Sequence, residues 1–404
     1  MPVGTELGIG GSTLLVCRHR CRGRDGVAPG VAVWVSVLGS LWGGELAAQV
    51  RDGIEIGNVP LLEIGVAEGE NPYLFSGISG AFLLDDGRVV VCDGELVELR
   101  VYGSDGSFMH RVGGRGEGPG EFRQIDAIWP VSDGRIGVWD AENLRISTFS
   151  AEGELVSAER VKIEMQAGMP RNLELFLGSF DNDEMILASV DAGSASSGVA
   201  ADQWTLGRFS LDGDPQGLLG QLRGFRRLVG SPLPFTPIPS VAVLGDTVWA
   251  VDGYGPEIGR LDADGSFQPA IAVPTVDLEA DEAWSFLREE LQRRDAGLFL
   301  QLMDRLPPPD EIPQIGGLLV DNARQLWVKV YDPSVDALWI GDPLLPGAGG
   351  EWRVVGSDGE TRGTVQMPDG VTPLAVTEDR LVGIARDALD VERLVVHRIR
   401  RAGG

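Results

Sequence analysis

One template recurs along this chain and leaves few folds open. An apolar strand leads to a tight acidic turn, a second strand ends in aspartate, a looser loop follows, and two more strands close on another tight turn. The clearest copies run through 81–84, 88–93, 96–102 and 107–112, then 125–131, 135–140, 144–149 and 155–163. Alternating Val, Ile, Leu and aromatic residues in these runs are the pattern of half-buried strands. Weaker copies follow at 173–222, 240–273, 315–367 and 374–399. Repetition at roughly 40 to 60 residues points to propeller blades packed around an axis. The last copy has only three strands, while the apolar run 60–64 has no neighbour in its own unit. Pairing that run outside the final strand closes the ring and leaves no half-built blade. The expected fold is an all-β, six-bladed propeller whose N-terminal strand completes the last blade.

Between the first two copies lies the stretch Gly113-Gly114-Arg115-Gly116-Glu117-Gly118-Pro119-Gly120-Glu121-Phe122. Five glycines and a proline in ten residues cannot continue a helix or a central strand, so this is a backbone crossing between blades. Taken with Arg100-Val101-Tyr102-Gly103-Ser104-Asp105-Gly106 before it, and Ser132-Asp133-Gly134-Arg135-Ile136-Gly137-Val138-Trp139-Asp140 after it, the segment resembles the NHL repeat family. The resemblance is specific over roughly residues 79–163. It implies a propeller, commonly six-bladed, often in exported bacterial proteins. Members include binding platforms, RNA binders and a few metal-dependent enzymes, so it implies a fold more firmly than an activity.

The formal charge of −26 over 404 residues argues against a nucleic-acid or anionic-membrane partner, because phosphate binding needs a basic footprint. A cationic partner or a metal ion remains compatible. Residues 1–48 read as an export segment. Arg18, Arg20, Arg22 and Arg24 precede the apolar run 31–42, and Leu46-Ala47-Ala48-Gln49 offers a small-residue cleavage site. That run is short of the roughly 20 residues a spanning helix needs, so no integral membrane segment is expected in the mature chain, 49–404. Cys17 and Cys21 fall in the export segment, which leaves Cys92 alone in the folded part, read as a small buried hydrophobe. The expected product is a periplasmic or extracellular monomer.

Loop lengths define a functional face. The turns Asp85-Asp86-Gly87, Ser104-Asp105-Gly106, Ser132-Asp133-Gly134, Ala151-Glu152-Gly153 and Ser357-Asp358-Gly359 are minimal and share one side. The long connections 113–122, 192–202, 224–239, 278–313 and 333–350 all fall on the other, where function concentrates. The stretch 278–313 is a helical insertion between blades four and five. Trp284, Leu287 and Leu291 fall at helical spacing, with acidic residues at its start and Arg293-Arg294 at its end. Its stripe packs either on the outside of neighbouring blades or as a lid over the channel mouth.

Candidate site residues follow from that face. Asp93, Asp140, Asp191, Asp252, Asp332 and Asp387 end the second strands. They serve either as acceptors for the following turn or as an acidic rim for a cation such as calcium. Arg115 and Glu117 are the side chains of the glycine crossing placed to touch a ligand. Arg226 and Arg227 form the basic cluster of the long-loop side, gripping a carboxylate or pairing with neighbouring blades. Trp284 and Trp339 are candidates for apolar contact. His110 and His397 are the histidines outside the export segment, and both fall in third or fourth strands. That speaks against a histidine-rich zinc site and against a Ser-His-Asp arrangement. The sequence favours a binding module for an unidentified protein, peptide or small molecule, with no cofactor required. The alternative is a calcium-dependent hydrolase or lyase acting at the channel mouth.

Overall fold

The computed structural model describes residues 53–162, 169–170, 172–191, 199–228, 231–251, 253–261, 266–273, 279–293, 296–306, 308–337, 345–387 and 389–401. Six antiparallel sheets follow one another along the chain as the blades of a propeller. Blade one consists of Ile78–Leu83, Val89–Asp93, Glu98–Tyr102 and Phe108–Val112. Blade two consists of Ala127–Pro130, Ile136–Asp140, Arg145–Phe149 and Leu155–Arg160. Blade four runs from Ser240–Leu244 to Phe267–Ala272, and blade five from Ile315–Val320 to Thr361–Gln366.

The second strands are among the most buried because both of their faces meet neighbouring sheets. In Val89–Asp93 and Ile136–Asp140 every residue is buried. Apolar clusters therefore form between blades: Phe82, Val90 and Leu99 of blade one pack with Ile136, Val138 and Phe149 of blade two. Trp129 of blade two stacks on Phe176 of blade three at 4.4 Å between ring centroids. Cys92 is buried, as expected.

Closure uses two short strands. Ile54–Ile56 pairs with Ile399–Arg401, and Leu62–Ile64 pairs with Leu394–Val396, both along the outer side of Glu392–Arg401. The peptide between them is pinned as well. Gly57 donates its amide to Arg398 at 2.8 Å, and His397 Nδ1 hydrogen-bonds the Gly57 carbonyl at 2.7 Å. Ile56 and Ile64 supply the anchors, 5% and 2% exposed.

Blade three departs from the expected loop pattern. Its third and fourth strands, Val199–Phe209 and Pro215–Leu228, extend well past their neighbours, and Ser231–Pro232 adds a fifth strand. The described parts of the expected loops 192–202 and 224–239 are thus partly an elongated hairpin. The helical insertion comprises α1 (Ala280–Arg293) and α2 (Gly297–Met303), between the sheets 240–272 and 315–366. Those sheets are the fourth and fifth when blades are counted from Ile78–Leu83. They are the fifth and sixth when the closing blade, which holds the N-terminal strands, is counted first. A further short helix, α3 (Pro333–Asp336), lies inside the second-to-third connection of blade five.

Candidate functional site

The two faces of the ring differ as loop length implied. On one face, Gly87, Gly106, Gly134, Gly153 and Gly359 hold φ between 81° and 87°, a region that favours glycine. Each donates its amide at 2.9 Å to the carbonyl three residues earlier, so the turn is as short as a hairpin allows. The opposite face carries the blade crossings, the elongated hairpin of blade three and helices α1, α2 and α3.

Four of the strand-end aspartates, Asp93, Asp140, Asp332 and Asp387, are turn acceptors. Asp93 is fully buried and accepts from the amides of Ser76 (2.9 Å) and Leu96 (3.2 Å), with Arg100 at 3.5 Å. Asp140, also fully buried, accepts from the amides of Arg123 and Asn143 and from the Asn143 side chain. Asp332 lies beyond the strand end and caps α3, accepting from the Ser334 amide at 2.9 Å and hydroxyl at 2.6 Å. Asp387 lies one position past Arg386 and accepts from the amides of Leu389 and Val391 and from Arg393. Those two amides, with Arg393 beside them, hold its carboxyl below the ordinary aspartate value. Asp191 ends its strand exposed, and Asp252 lies outside the described residues. Among the described residues, no three His, Cys, Asp or Glu side chains converge into a set that could hold a metal ion.

The glycine crossing is folded onto itself. Gly113 (φ 76°) has no room for a side chain, since a Cβ there would lie 2.1 Å from the Phe122 ring. Gly118 gives its amide to Glu121 Oε2 at 2.9 Å, and the buried Arg145 donates to the carbonyls of Glu117 (3.0 Å) and Glu121. Arg115 is exposed and donates to the Glu95 carbonyl, while Glu117 pairs with Arg123 at 2.8 Å. Both side chains are surface-accessible and turned to neighbouring loops.

Arg226 and Arg227 stand on the elongated strand of blade three, not in a loop. Arg227 Nε reaches both oxygens of the buried Asp202, at 2.9 and 2.7 Å, within its own blade. Arg226 Nη1 crosses to blade four and donates to the Tyr254 hydroxyl at 2.7 Å. Trp284 is 8% exposed, so its indole belongs to internal packing rather than to an open ligand surface. It lies with Phe235, Leu287, Leu291, Met303, Ile312, Tyr331 and Ala337 in one apolar cluster. Phe235 and Ile312 precede first strands and Tyr331 follows a second strand, so α1 packs on the loop-rich face of blades four and five. Trp339 lies outside the described residues.

Three groups escape the sequence template. Lys329 and Asp336 form an ion pair at 2.5 Å with side chains 0% and 2% exposed. Burial nonetheless pushes the Asp336 carboxyl above the ordinary value, with Lys329 opposing it. A lysine inside the apolar run Leu326-Trp327-Val328-Lys329-Val330 was the available signal. Among the described residues the Tyr331 hydroxyl is buried without a hydrogen-bond partner. Asp126, at the start of the first strand of blade two, has its carboxyl raised to about 6 by burial. Neither of the last two has any mark in the sequence. A cavity of about 200 Å³ lies along the first strands of blades three, four and five, walled by Leu177, Val241, Val243 and Leu319. It is apolar and smaller than the ~300 Å³ at which small-molecule sites begin.

Residues 69–184 match a family, DUF5128, described as a 6-bladed beta-propeller. No curated protein matches. An exported protein of Bacteroides fragilis is similar in structure, with 12% identity, a TM-score of 0.46, and coverage of 86% of this chain and 95% of that one. Virginiamycin B lyase of Staphylococcus aureus gives 11% identity, a TM-score of 0.40, and coverage of 85% and 99%. A Xanthomonas campestris gluconolactonase gives 12%, 0.40, and coverage of 81% and 87%. The chain is a six-bladed β-propeller, the fold its repeats and its NHL resemblance implied.

Proposed function

We propose that this propeller is an exported binding module that recognises its partner with the loop-rich face. The observation that carries the reading is the segregation of connections. Helices α1, α2 and α3, the elongated hairpin and the glycine crossing stand on one face, and hairpin turns with no spare residues stand on the other. A rigid ring displaying long connections on one side is an arrangement suited to recognition. Export rests on the basic, apolar and small-residue pattern of residues 1–48, which lie outside the described residues. Among the described residues no helix is long and apolar enough to cross a membrane. We take the protein to act as a monomer, without a cofactor. Against the calcium-dependent hydrolase or lyase stands the engagement of Asp93, Asp140, Asp332 and Asp387 by turn amides.

The test places a photo-crosslinking residue at exposed positions on either face, in the source cell's envelope. Arg115 and Ser334 sample the loop-rich face, Asp86 and Ser357 the other. A discrete crosslinked product from the first pair alone supports the reading. Equal products from both faces, or products only from the short turns, would overturn it.

A further inference from the structure

We infer that Arg226, Tyr254 and Tyr331 form a carboxylate-binding niche on the loop-rich face, at the seam of blades three, four and five. The inference rests on the loop-face reading above and names the chemistry that face would recognise. The first observation is a charge left uncompensated. In this acidic chain most described arginines meet a carboxylate within salt-bridge distance, among them Arg88, Arg100, Arg135, Arg208, Arg227, Arg393 and Arg401. Arg226 is half-buried, yet among the described residues its guanidinium bonds only the neutral Tyr254 hydroxyl, at 2.7 Å, with the ring 6.0 Å away. A guanidinium has five N–H donors in a planar fork that matches a carboxylate, and a phenol takes up one of them.

The second observation is an excess of donors around it. Because the Tyr254 oxygen accepts from Arg226, its own hydrogen is left to donate elsewhere. Tyr331 is adjacent across the seam: the Gln314 amide donates to the Tyr254 carbonyl, and the Tyr331 amide to the Gln314 carbonyl, both at 3.1 Å. Among the described residues the Tyr331 hydroxyl is buried and unpartnered, and burial, with Asp336, Tyr254 and Asp332 nearby, pushes its pKa well above the ordinary value. It therefore stays a donor throughout the physiological range. The neighbouring carboxylates are already engaged: Asp336 with Lys329 and the Asp332 amide, Asp332 with Ser334. In this corner, which α1 packs against at Tyr331, the remaining Arg226 donors and the Tyr331 hydroxyl meet no acceptor among the described residues. A carboxylate supplies what the corner lacks, and Arg226 supplies the charge to hold it.

The test uses the full mature chain with acetate as probe and acetamide, of the same shape and neutral, as control, at constant ionic strength. Acetate at tens of millimolar is expected to raise the melting temperature by mass action, and acetamide to leave it unchanged. Arg226→Met keeps the packing of the stem and is expected to weaken acetate binding at least about tenfold, as loss of a charged hydrogen bond does. Tyr331→Phe removes an unsatisfied hydroxyl, so it should fold at least as well as the parent and still bind acetate several-fold more weakly. An acetate shift that is absent, or that Arg226→Met and Tyr331→Phe both leave intact, would overturn the inference. A capped dipeptide acid binding far more tightly than acetate identifies a chain terminus as the source; equal binding identifies a small organic acid. If the acetate response fails while loop-face crosslinks persist, only the carboxylate assignment falls.

Discussion

Arg393 and Glu63 form an ion pair, Nη1 to Oε1 at 2.6 Å, across 330 positions of sequence. The pair sits where the N-terminal strand Leu62–Ile64 lies against the last strand of the ring, yet both partners are a third or more exposed. An exposed pair is worth under about 1 kcal/mol, whereas burying Ile64 removes a whole side chain from water. Ile64→Ala should therefore lower unfolding stability by about 2–4 kcal/mol, and Glu63→Gln by well under 1. Removing residues 49–66 should cost more than either, because it strips both closing strands. Urea unfolding midpoints check the order; equal effects of Ile64→Ala and Glu63→Gln would mean that closure does not hold the ring.

Calcium should leave the protein unmoved. The carboxylates of Asp93 and Asp140 are fully buried and occupied by backbone donors, which a cation would have to displace. Melting curves in millimolar calcium and in chelator are expected to superimpose. A reproducible rise with calcium would restore the acidic-rim reading and the enzyme reading with it.

The Lys329–Asp336 pair is sealed by glycines. A Cβ on Gly347 would lie 2.3 Å from Asp336 Oδ1 and 2.7 Å from Lys329 Nζ, and one on Gly316 2.8 Å from Asp336 Oδ2. Lys329→Met should destabilise by about 3–5 kcal/mol, because it leaves a buried carboxylate unpaired. The double variant Lys329→Met, Asp336→Leu should recover most of that loss. If the double variant is no better than the single one, packing rather than charge governs the site.

Much of the architecture was legible because its determinants are local. Tight turns announce themselves through Asp-Gly and Glu-Gly pairs, and the unpaired strand at 60–64 implied closure by elimination. What escaped is non-local. The strand run past residue 222 looked like loop because Gly220, Gly224 and the prolines after 231 interrupt it, yet its pairing with Val199–Phe209 overrides them. The aspartates were legible as turn acceptors or as a rim, and only geometry shows which hydrogens they accept. Arg226 was legible as a cation near the loops, but its neutral partner sits 28 positions away on another blade.

Asp126 should give stability a pH dependence of known sign. Its carboxyl is raised by burial to about 6, despite a hydrogen bond from the Ala141 amide, and Asp140 and Glu142 add to the rise. A folded-state value above the unfolded one means the contribution is fully present below about pH 4 and is lost as pH rises through about 6. Asp126→Asn keeps an acceptor for Ala141 and removes the ionisation. The variant should therefore melt higher than the parent at pH 8, and the advantage should shrink as pH falls through 6. An advantage independent of pH would assign the effect to something other than this carboxyl.

The helical cap should come off without undoing the ring. Its buried stripe, Trp284, Leu287 and Leu291, meets Phe235, Tyr331 and Ala337 in an apolar cluster separate from the clusters between blades. The outer face of α1 is mostly polar, with Phe286 partly exposed, and Arg288 on it pairs with the surface Asp304. A helix of this length is marginal alone, so α1 depends on that one contact patch. Trp284→Ala should therefore weaken docking of α1 by about 3 kcal/mol while leaving the blades folded. In hydrogen exchange, amides of 280–303 should lose protection and those of 89–93 and 136–140 should keep it. Replacing 278–313 with a Gly-Ser linker should likewise yield a folded ring, because both ends of the insertion leave from one face. It should also expose Tyr331, so acetate would still bind, with faster release. Loss of protection in the blade strands of either variant would mean the helices are part of the ring's own stability and not a cap upon it.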